Sequence, residues 1–142
     1  MLPLAPGQTI PMFALPRVTG SLFRRADIRG RAALAILVLP DDMAAPDYLA
    51  ALDAHASAWG RSERALVITR TPLPLETPHL VALNDADGSV SRQLVGANPG
   101  GWLITDRYGQ LYAQGVVRSE KDLPEPAELL EWLEWVGMRC SG

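Results

Sequence analysis

The fold is decided by one stretch of sequence, residues 33–59, which reads ALAILVLPDDMAAPDYLAALDAHASAW. Its first part, Ala33 to Leu39, is continuously apolar, a pattern typical of a strand that is covered on both faces. Pro40 is expected to end this strand. Between Tyr48 and Trp59, apolar residues recur at the spacing of a helical face. The stretch therefore predicts a buried strand, a loop and a helix.

The start of this helix carries an acidic residue, Asp47. A carboxylate just before a helix accepts hydrogen bonds from the free amides of the first turn and meets the positive end of the helix dipole. We therefore expect Asp47 to be the N-cap, and Gly60 to end the helix.

The rest of the chain predicts more strands and two more helices. Ala65 to Thr69 is a second buried strand, and a strand, a helix and a strand in succession imply a right-handed parallel crossover. Prolines make the connection at 71–78 a loop. The remaining predicted elements are a strand at 12–15 paired with 22–24, a strand at 79–83, a short helix at 89–94, a hairpin of 102–105 with 111–113, and a last helix opened by Pro124 and Pro126.

Size and composition exclude several classes of protein. The chain has 142 residues, of which 48% are hydrophobic and 20% charged, an ordinary globular balance that predicts one domain over residues 1–142. The net charge of −3 gives no reason to expect nucleic acid binding, and no apolar run reaches the roughly 18 residues of a membrane span. Cys140 is the single cysteine, so no intrachain disulfide can form. We predict a cytoplasmic protein with no membrane or nucleic acid partner.

Local motifs suggest a family. The opening GQTIPMFALP at 7–16 and the two D-x-x-G turns, Asp85 to Gly88 and Asp106 to Gly109, resemble the peroxiredoxin-like (AhpC/TSA, redoxin) family. The resemblance covers nearly the whole chain. It implies a thioredoxin-like three-layer α/β/α sandwich with a central mixed sheet.

The chain departs from that family at the residues that carry its chemistry. The peroxidatic loop of the family reads P-x-x-x-T-x-x-C, and the same frame here is PDDMAAPD at 40–47. Ala44 stands in the place of the threonine, and Asp47 in the place of the reactive cysteine. The family arginine would fall near residues 100–101, which are glycines, and only Pro99 could supply a thioredoxin-type cis-proline. The resemblance therefore implies the scaffold without peroxide reduction.

Three carboxylates in the key loop offer a candidate metal site. Asp41, Asp42 and Asp47 could attract Mg²⁺ or Ca²⁺, which prefer oxygen ligands. An N-cap with solvated neighbours explains the same residues, and we favour it. We predict neither a metal nor a cofactor.

The two histidines offer no stronger site. Glu76 and His79 have the spacing of a metal pair, but Pro78 prevents the helical geometry that such pairs use. No serine or cysteine is obviously opposed to His55, so a catalytic triad is not supported. We expect both histidines at the surface.

Cys140 lies two residues before the end of the chain, past the predicted last helix. An exposed thiol there could form an intermolecular disulfide or react with oxidants. A tail cysteine without function is the alternative that we favour.

Two charged clusters and two tryptophans complete the candidates. The clusters could dock on each other between chains, but solvated faces are favoured because charged surfaces are the rule. One tryptophan of the last helix should anchor it, and the other should be exposed or join an interface. The basic cluster consists of Arg24, Arg25, Arg29 and Arg31, and the acidic cluster of Glu125, Glu128, Glu131 and Glu134. The two tryptophans are Trp132 and Trp135.

Together these patterns predict a non-peroxidatic, redoxin-like protein that acts by binding or self-association. The crossover helix expected before His79 is replaced by a loop, which should leave one sheet face bare for a homodimer or a protein partner over the Pro72–Pro78 side. The alternative is a thiol-dependent oxidoreductase or antioxidant that acts through Cys140.

Overall fold

The structure is a computed structural model that describes residues 2–17, 20–60, 62–71 and 78–140, with the backbone alone at 139 and 140. Its strands are β1 (Ala14–Pro16), β2 (Leu22–Arg24), β3 (Ala33–Val38), β4 (Glu63–Thr69), β5 (Val81–Asn84), β6 (Gly101–Thr105) and β7 (Leu111–Val116). Its helices are α1 (Pro46–Ala56), α2 (Ser89–Val95) and α3 (Pro126–Cys140). The predicted order of strands and helices is confirmed.

The apolar run after Ala32 forms the middle strand of a five-stranded sheet with the order β5-β4-β3-β6-β7. All six residues of β3 are buried, which is why that stretch reads as continuously apolar. Strands β3, β4 and β5 are parallel, and β6 and β7 are antiparallel to their neighbours, so the sheet is mixed as predicted. Strands β1 and β2 form a separate hairpin.

Alternate residues of β3 pack into two hydrophobic clusters on opposite faces of the sheet. Leu37 belongs to the cluster that contains Leu49 of α1 and Leu133 of α3. Ile36 belongs to the cluster that contains the β1–β2 hairpin and Leu94 of α2. This is the predicted three-layer α/β/α arrangement.

Helix α1 begins differently from the prediction. The N-cap is Ala45, with a φ of 44° and no side-chain cap hydrogen bond, so the expectation that Asp47 caps the helix is wrong. Pro46 takes the first helical position, where its fixed φ suits the helix and its missing amide costs nothing. Asp47 therefore lies inside the first turn. The helix ends at Ala56, before the glycine that was expected to stop it.

Helix α3 also differs at both ends. It begins at Pro126 rather than Pro124, and it runs to Cys140, so the cysteine belongs to the helix and does not follow it. Trp132 packs against the core, whereas Trp135 is 41% exposed. The expectation of one anchoring and one exposed tryptophan is confirmed.

Arg25 is not part of a solvated basic cluster, because its side chain is only 2% exposed. Its guanidinium donates to the carbonyl oxygens of Ile10 at 3.3 Å and Pro11 at 3.2 Å, which ties the N-terminal segment to the fold. A side chain at Gly109 would run into this guanidinium. Burial lowers the pKa of Arg25, and the positive charge of Arg29 lowers it further. No local pattern in the sequence predicts these long-range contacts.

The connection that was expected to expose a sheet face lies mostly outside the described residues, which omit 72–77. On the face concerned, Ala65 and Val67 of β4 are each 1% exposed, and Leu80 is 7% exposed. Asp53 of α1 also accepts a hydrogen bond from the amide of His79 at 2.8 Å. The expectation of a bare face is therefore wrong for β4.

Within the described part of the chain, no helix has the length and apolar character that crossing a membrane requires.

Candidate functional site

The candidate site lies at the carboxyl end of β3, where the chain turns into α1. Ligands of open α/β sheets bind outside the carboxyl ends of the strands. Ala44 and Asp47 are both exposed here, Ala44 just before the N-cap and Asp47 in the first turn of α1. The helix dipole stabilises a carboxylate in this position. No sulfur stands in the first turn.

The neighbouring end of β6 is closed to side chains. A Cβ atom at Gly100 would run into the carbonyl oxygen of Val38 and lie 2.8 Å from Cδ of Pro40. A Cβ atom at Gly101 would lie 2.7 Å from Cγ1 of Val95. Neither position can hold an arginine unless the backbone moves.

Pro99 does not supply the cis-proline that the family resemblance left open. Its peptide bond is trans, as are all peptide bonds in the described part of the chain. Pro99 instead lines a cavity at the same edge of the sheet.

This cavity, which we call the edge cavity, has a volume of about 450 Å³. That volume lies within the range of small-molecule sites, about 300–1,000 Å³. Its walls are the end of β3 with the following loop, the residue after β4, and α2 with the loop that follows it. Its charged lining residues are Asp41, Asp42, Arg70 and Arg92.

Two arginine side chains line the edge cavity beside Gly88. A Cβ atom at this glycine would lie 3.3 Å from Nε of Arg70 and 3.3 Å from Nη1 of Arg92, so both nitrogens border the same small volume. Arg70 Nη1 pairs with Asp41 Oδ2 at 3.3 Å. Arg92 Nη1 donates to the carbonyl oxygen of Asp87 at 3.3 Å.

Asp85 fixes the helix that carries Arg92. Its carboxylate is 1% exposed and accepts hydrogen bonds from the amide of Ser91 at 2.7 Å, the hydroxyl of Ser91 at 2.8 Å and the amide of Val90 at 3.4 Å. These bonds hold the first turn of α2 against the end of β5. The wall of the edge cavity is therefore built on a fixed element.

Arg70 and Arg92 were not predicted as site residues from the sequence. Arg70 directly follows a predicted buried strand, and a charged residue at the carboxyl end of a parallel strand is a usable signal. Nothing in the sequence brings Arg92 to the same place, because that contact depends on how α2 packs.

The metal candidates do not come together. No group of three or more histidine, cysteine, aspartate or glutamate side chains in the described ranges could hold a metal ion. Asp41 is paired with Arg70. His55 and His79 are exposed, as expected, and Glu76 lies outside the described residues.

Cys140 lies toward the opposite end of the sheet, where β3 begins. The hydroxyl of Tyr48 donates to the carbonyl oxygen of Pro124 at 2.6 Å, so α3 begins beside the start of α1. From there α3 runs for 15 residues, which is about 22 Å at 1.5 Å per residue. Near its end, Gly137 lines a cavity with Ala33 at the start of β3. Cys140 therefore cannot take the place of a thiol in the first turn of α1.

Comparison with known proteins supports the fold. No family model matches the chain, and no curated protein matches it. Among solved structures, AhpC from Enterococcus faecalis has a TM-score of 0.76 at 15% identity, over 96% of this chain and 94% of that one. The reduced 2-Cys peroxiredoxin of Plasmodium vivax has a TM-score of 0.73 at 16% identity, over 98% and 100%. The exposed lipoprotein thioredoxin Etrx1 of Streptococcus pneumoniae has a TM-score of 0.72 at 16% identity, over 88% and 99%. The chain has the thioredoxin fold that these redox proteins share.

Proposed function

We propose that this chain is a redoxin-type protein without peroxidase chemistry, which acts by binding a ligand at the carboxyl edge of its sheet. The observation that carries the proposal is Asp47 in the first turn of α1, where the family resemblance places the reactive sulfur. We keep the predicted cytoplasmic location as part of the proposal.

The chemistry of peroxide reduction explains why this substitution matters. The thiolate is the nucleophile, and a helix N-terminus lowers the pKa of a thiol. A carboxylate cannot be oxidised to a sulfenic acid, so Asp47 cannot replace it. Ala44 offers no hydroxyl to hydrogen-bond a thiolate, and Gly100 leaves no room for an activating arginine.

The edge cavity supports a binding role. Its wall is fixed by the hydrogen bonds of Asp85, and it contains charged groups of both signs. Convergent polar groups in a cavity of this size are the usual signature of a small-molecule site.

The test is consumption of hydrogen peroxide with dithiothreitol as reductant, by the wild type and by Cys140→Ser. We expect neither protein to consume peroxide faster than buffer. Consumption by the wild type that disappears in Cys140→Ser would refute the proposal in favour of an oxidoreductase or antioxidant acting through Cys140. Consumption by both proteins would refute it as well.

Self-association is a second candidate. Trp135 and Met138 on α3 are 41% and 72% exposed, and exposed aromatic and methionine side chains are enriched at interfaces. The sequence instead predicts a homodimer or a protein partner over the Pro72–Pro78 side. Sedimentation velocity of the wild type and Trp135→Ala tests the α3 surface: a dimer lost in the variant supports it, and a dimer kept rules it out as the interface. A monomer at all concentrations removes self-association.

A further inference from the structure

We propose that the edge cavity binds a small organic phosphate, with the phosphate group held between Arg70 and Arg92. This inference rests on the proposed binding role and names the ligand class for the same site. It is carried by the two guanidinium groups that border one small volume beside Gly88.

The arginine pair favours a phosphate over a carboxylate. Two like charges held near each other attract an anion that can accept from both. A carboxylate offers two oxygens and one charge, which match a single guanidinium. A phosphate monoester offers three terminal oxygens and between one and a half and two negative charges at neutral pH. It can therefore accept hydrogen bonds from Arg70 and Arg92 together.

The rest of the cavity favours an organic ligand over free phosphate. About 450 Å³ exceeds what one phosphate group needs. The wall beside the charged groups is apolar and contains Val38, Pro40, Val95 and Pro99. Val38, Pro40 and Val95 are buried, so among these four residues it is Pro99 that presents open apolar surface to a ligand. An apolar group attached to the phosphate would bury surface against it.

Asp41 competes with the ligand. Its carboxylate pairs with Arg70 at 3.3 Å, and the two side chains are 64% and 47% exposed. Exposed ion pairs contribute little free energy, so a ligand can displace Asp41 from Arg70. Asp42 also lines the cavity and Asp87 lies beside Arg92, and both negative charges oppose the ligand. Removing the charge of Asp41 should therefore tighten binding.

The experiment is calorimetric titration of the full chain at low salt with phenyl phosphate, inorganic phosphate and phenol. We expect phenyl phosphate to bind more tightly than inorganic phosphate, and phenol not to bind. Arg70→Gln and Arg92→Gln should each weaken phenyl phosphate about tenfold or more, because each removes hydrogen bonds between charged groups. Asp41→Asn should strengthen it about two- to fivefold.

Arg24→Gln is the matched control, because it removes the same charge from an exposed arginine of the β1–β2 hairpin. We expect its affinity to equal that of the wild type. Thermal midpoints show whether each variant folds. If Arg70→Gln does not fold, Arg70→Lys replaces it, since lysine keeps the charge but loses the planar fork and should still weaken binding.

Three outcomes would overturn the inference: no binding of phenyl phosphate at millimolar concentration, equal losses in Arg24→Gln and the two site variants, or weaker binding by Asp41→Asn. Inorganic phosphate that binds as tightly as phenyl phosphate would overturn the assignment of an organic ligand. These results are independent of the peroxide assay. Peroxidase activity would refute the proposed function even if the phosphate binds.

Discussion

Replacing Gly100 with alanine tests whether the position of the family arginine is closed by backbone packing. The added methyl group would run into the carbonyl oxygen of Val38 and lie 2.8 Å from Cδ of Pro40. Real Cβ atoms do not approach neighbours this closely, so β6 and the loop after β3 must move apart. Gly100 should therefore tolerate no side chain.

The expected cost follows from the size of this clash. Overpacking a buried site by one methyl group costs about 1–3 kcal/mol, and backbone neighbours put Gly100→Ala near the upper value, about 3 kcal/mol. A chain of 142 residues unfolds with an entropy of about 300 cal/mol/K near its midpoint. The thermal midpoint should therefore fall by about 10 °C.

The assay is thermal unfolding followed by circular dichroism, with Gly137→Ala as the matched control. Gly137 lies in α3, and a Cβ atom there would meet nothing within 4 Å. Alanine favours a helix over glycine by about 0.5–1 kcal/mol, so this variant should melt about 2–3 °C higher. A Gly100→Ala midpoint equal to or above that of the wild type would show that the arginine position is open and would refute the packing explanation.

Three further changes test other parts of the structure. Tyr48→Phe removes a hydrogen bond to a backbone carbonyl and should cost about 1–2 kcal/mol, which an unchanged urea midpoint would contradict. The Asp122 carboxylate accepts hydrogen bonds from the amides of residues 118–119, and these bonds lower its pKa in the folded protein. The stability that they contribute is complete above the unfolded pKa of about 3.9 and is lost as the pH falls through the lower folded pKa. Asp122→Asn should therefore flatten the fall of the thermal midpoint in acid, and an unaltered fall would count against this. Asp47→Cys in a Cys140→Ser background should give a thiol whose pKa is lower than the value of about 8.5 for free cysteine. The pKa is measured from thiolate absorbance against pH. A pKa at or above that of free cysteine would show that the first turn of α1 does not activate a thiol.

The sequence predicted the order of the elements because the signals for it are local. The apolar run of β3 needed no partner to be recognised, since a short apolar run that is soon followed by a proline is typical of a strand covered on both faces. The D-x-x-G turns are equally local: Gly88 and Gly109 adopt φ values of 72° and 85°, which glycine reaches without strain. In each turn the aspartate side chain accepts a hydrogen bond from a backbone amide, that of Ser91 for Asp85 and that of Tyr108 for Asp106.

The predictions failed where two local signals competed or where distant residues met. At the start of α1, Asp47 and Pro46 both signal a helix N-terminus, and the proline took the first helical position. Arg25 is buried because carbonyl groups of the N-terminal segment reach it, a contact that no periodicity encodes. The approach of both Arg70 and Arg92 to the space beside Gly88 depends in the same way on tertiary packing.

The rate at which Cys140 reacts with hydrogen peroxide tests most directly whether the thioredoxin scaffold has been kept and its thiol chemistry lost. It is followed by intact-protein mass in excess peroxide, with free cysteine in the same buffer as reference. Cys140 ends α3, and the negative end of a helix dipole disfavours a thiolate, so we expect a rate no higher than that of free cysteine. A rate orders of magnitude above free cysteine would contradict the loss of peroxidase chemistry.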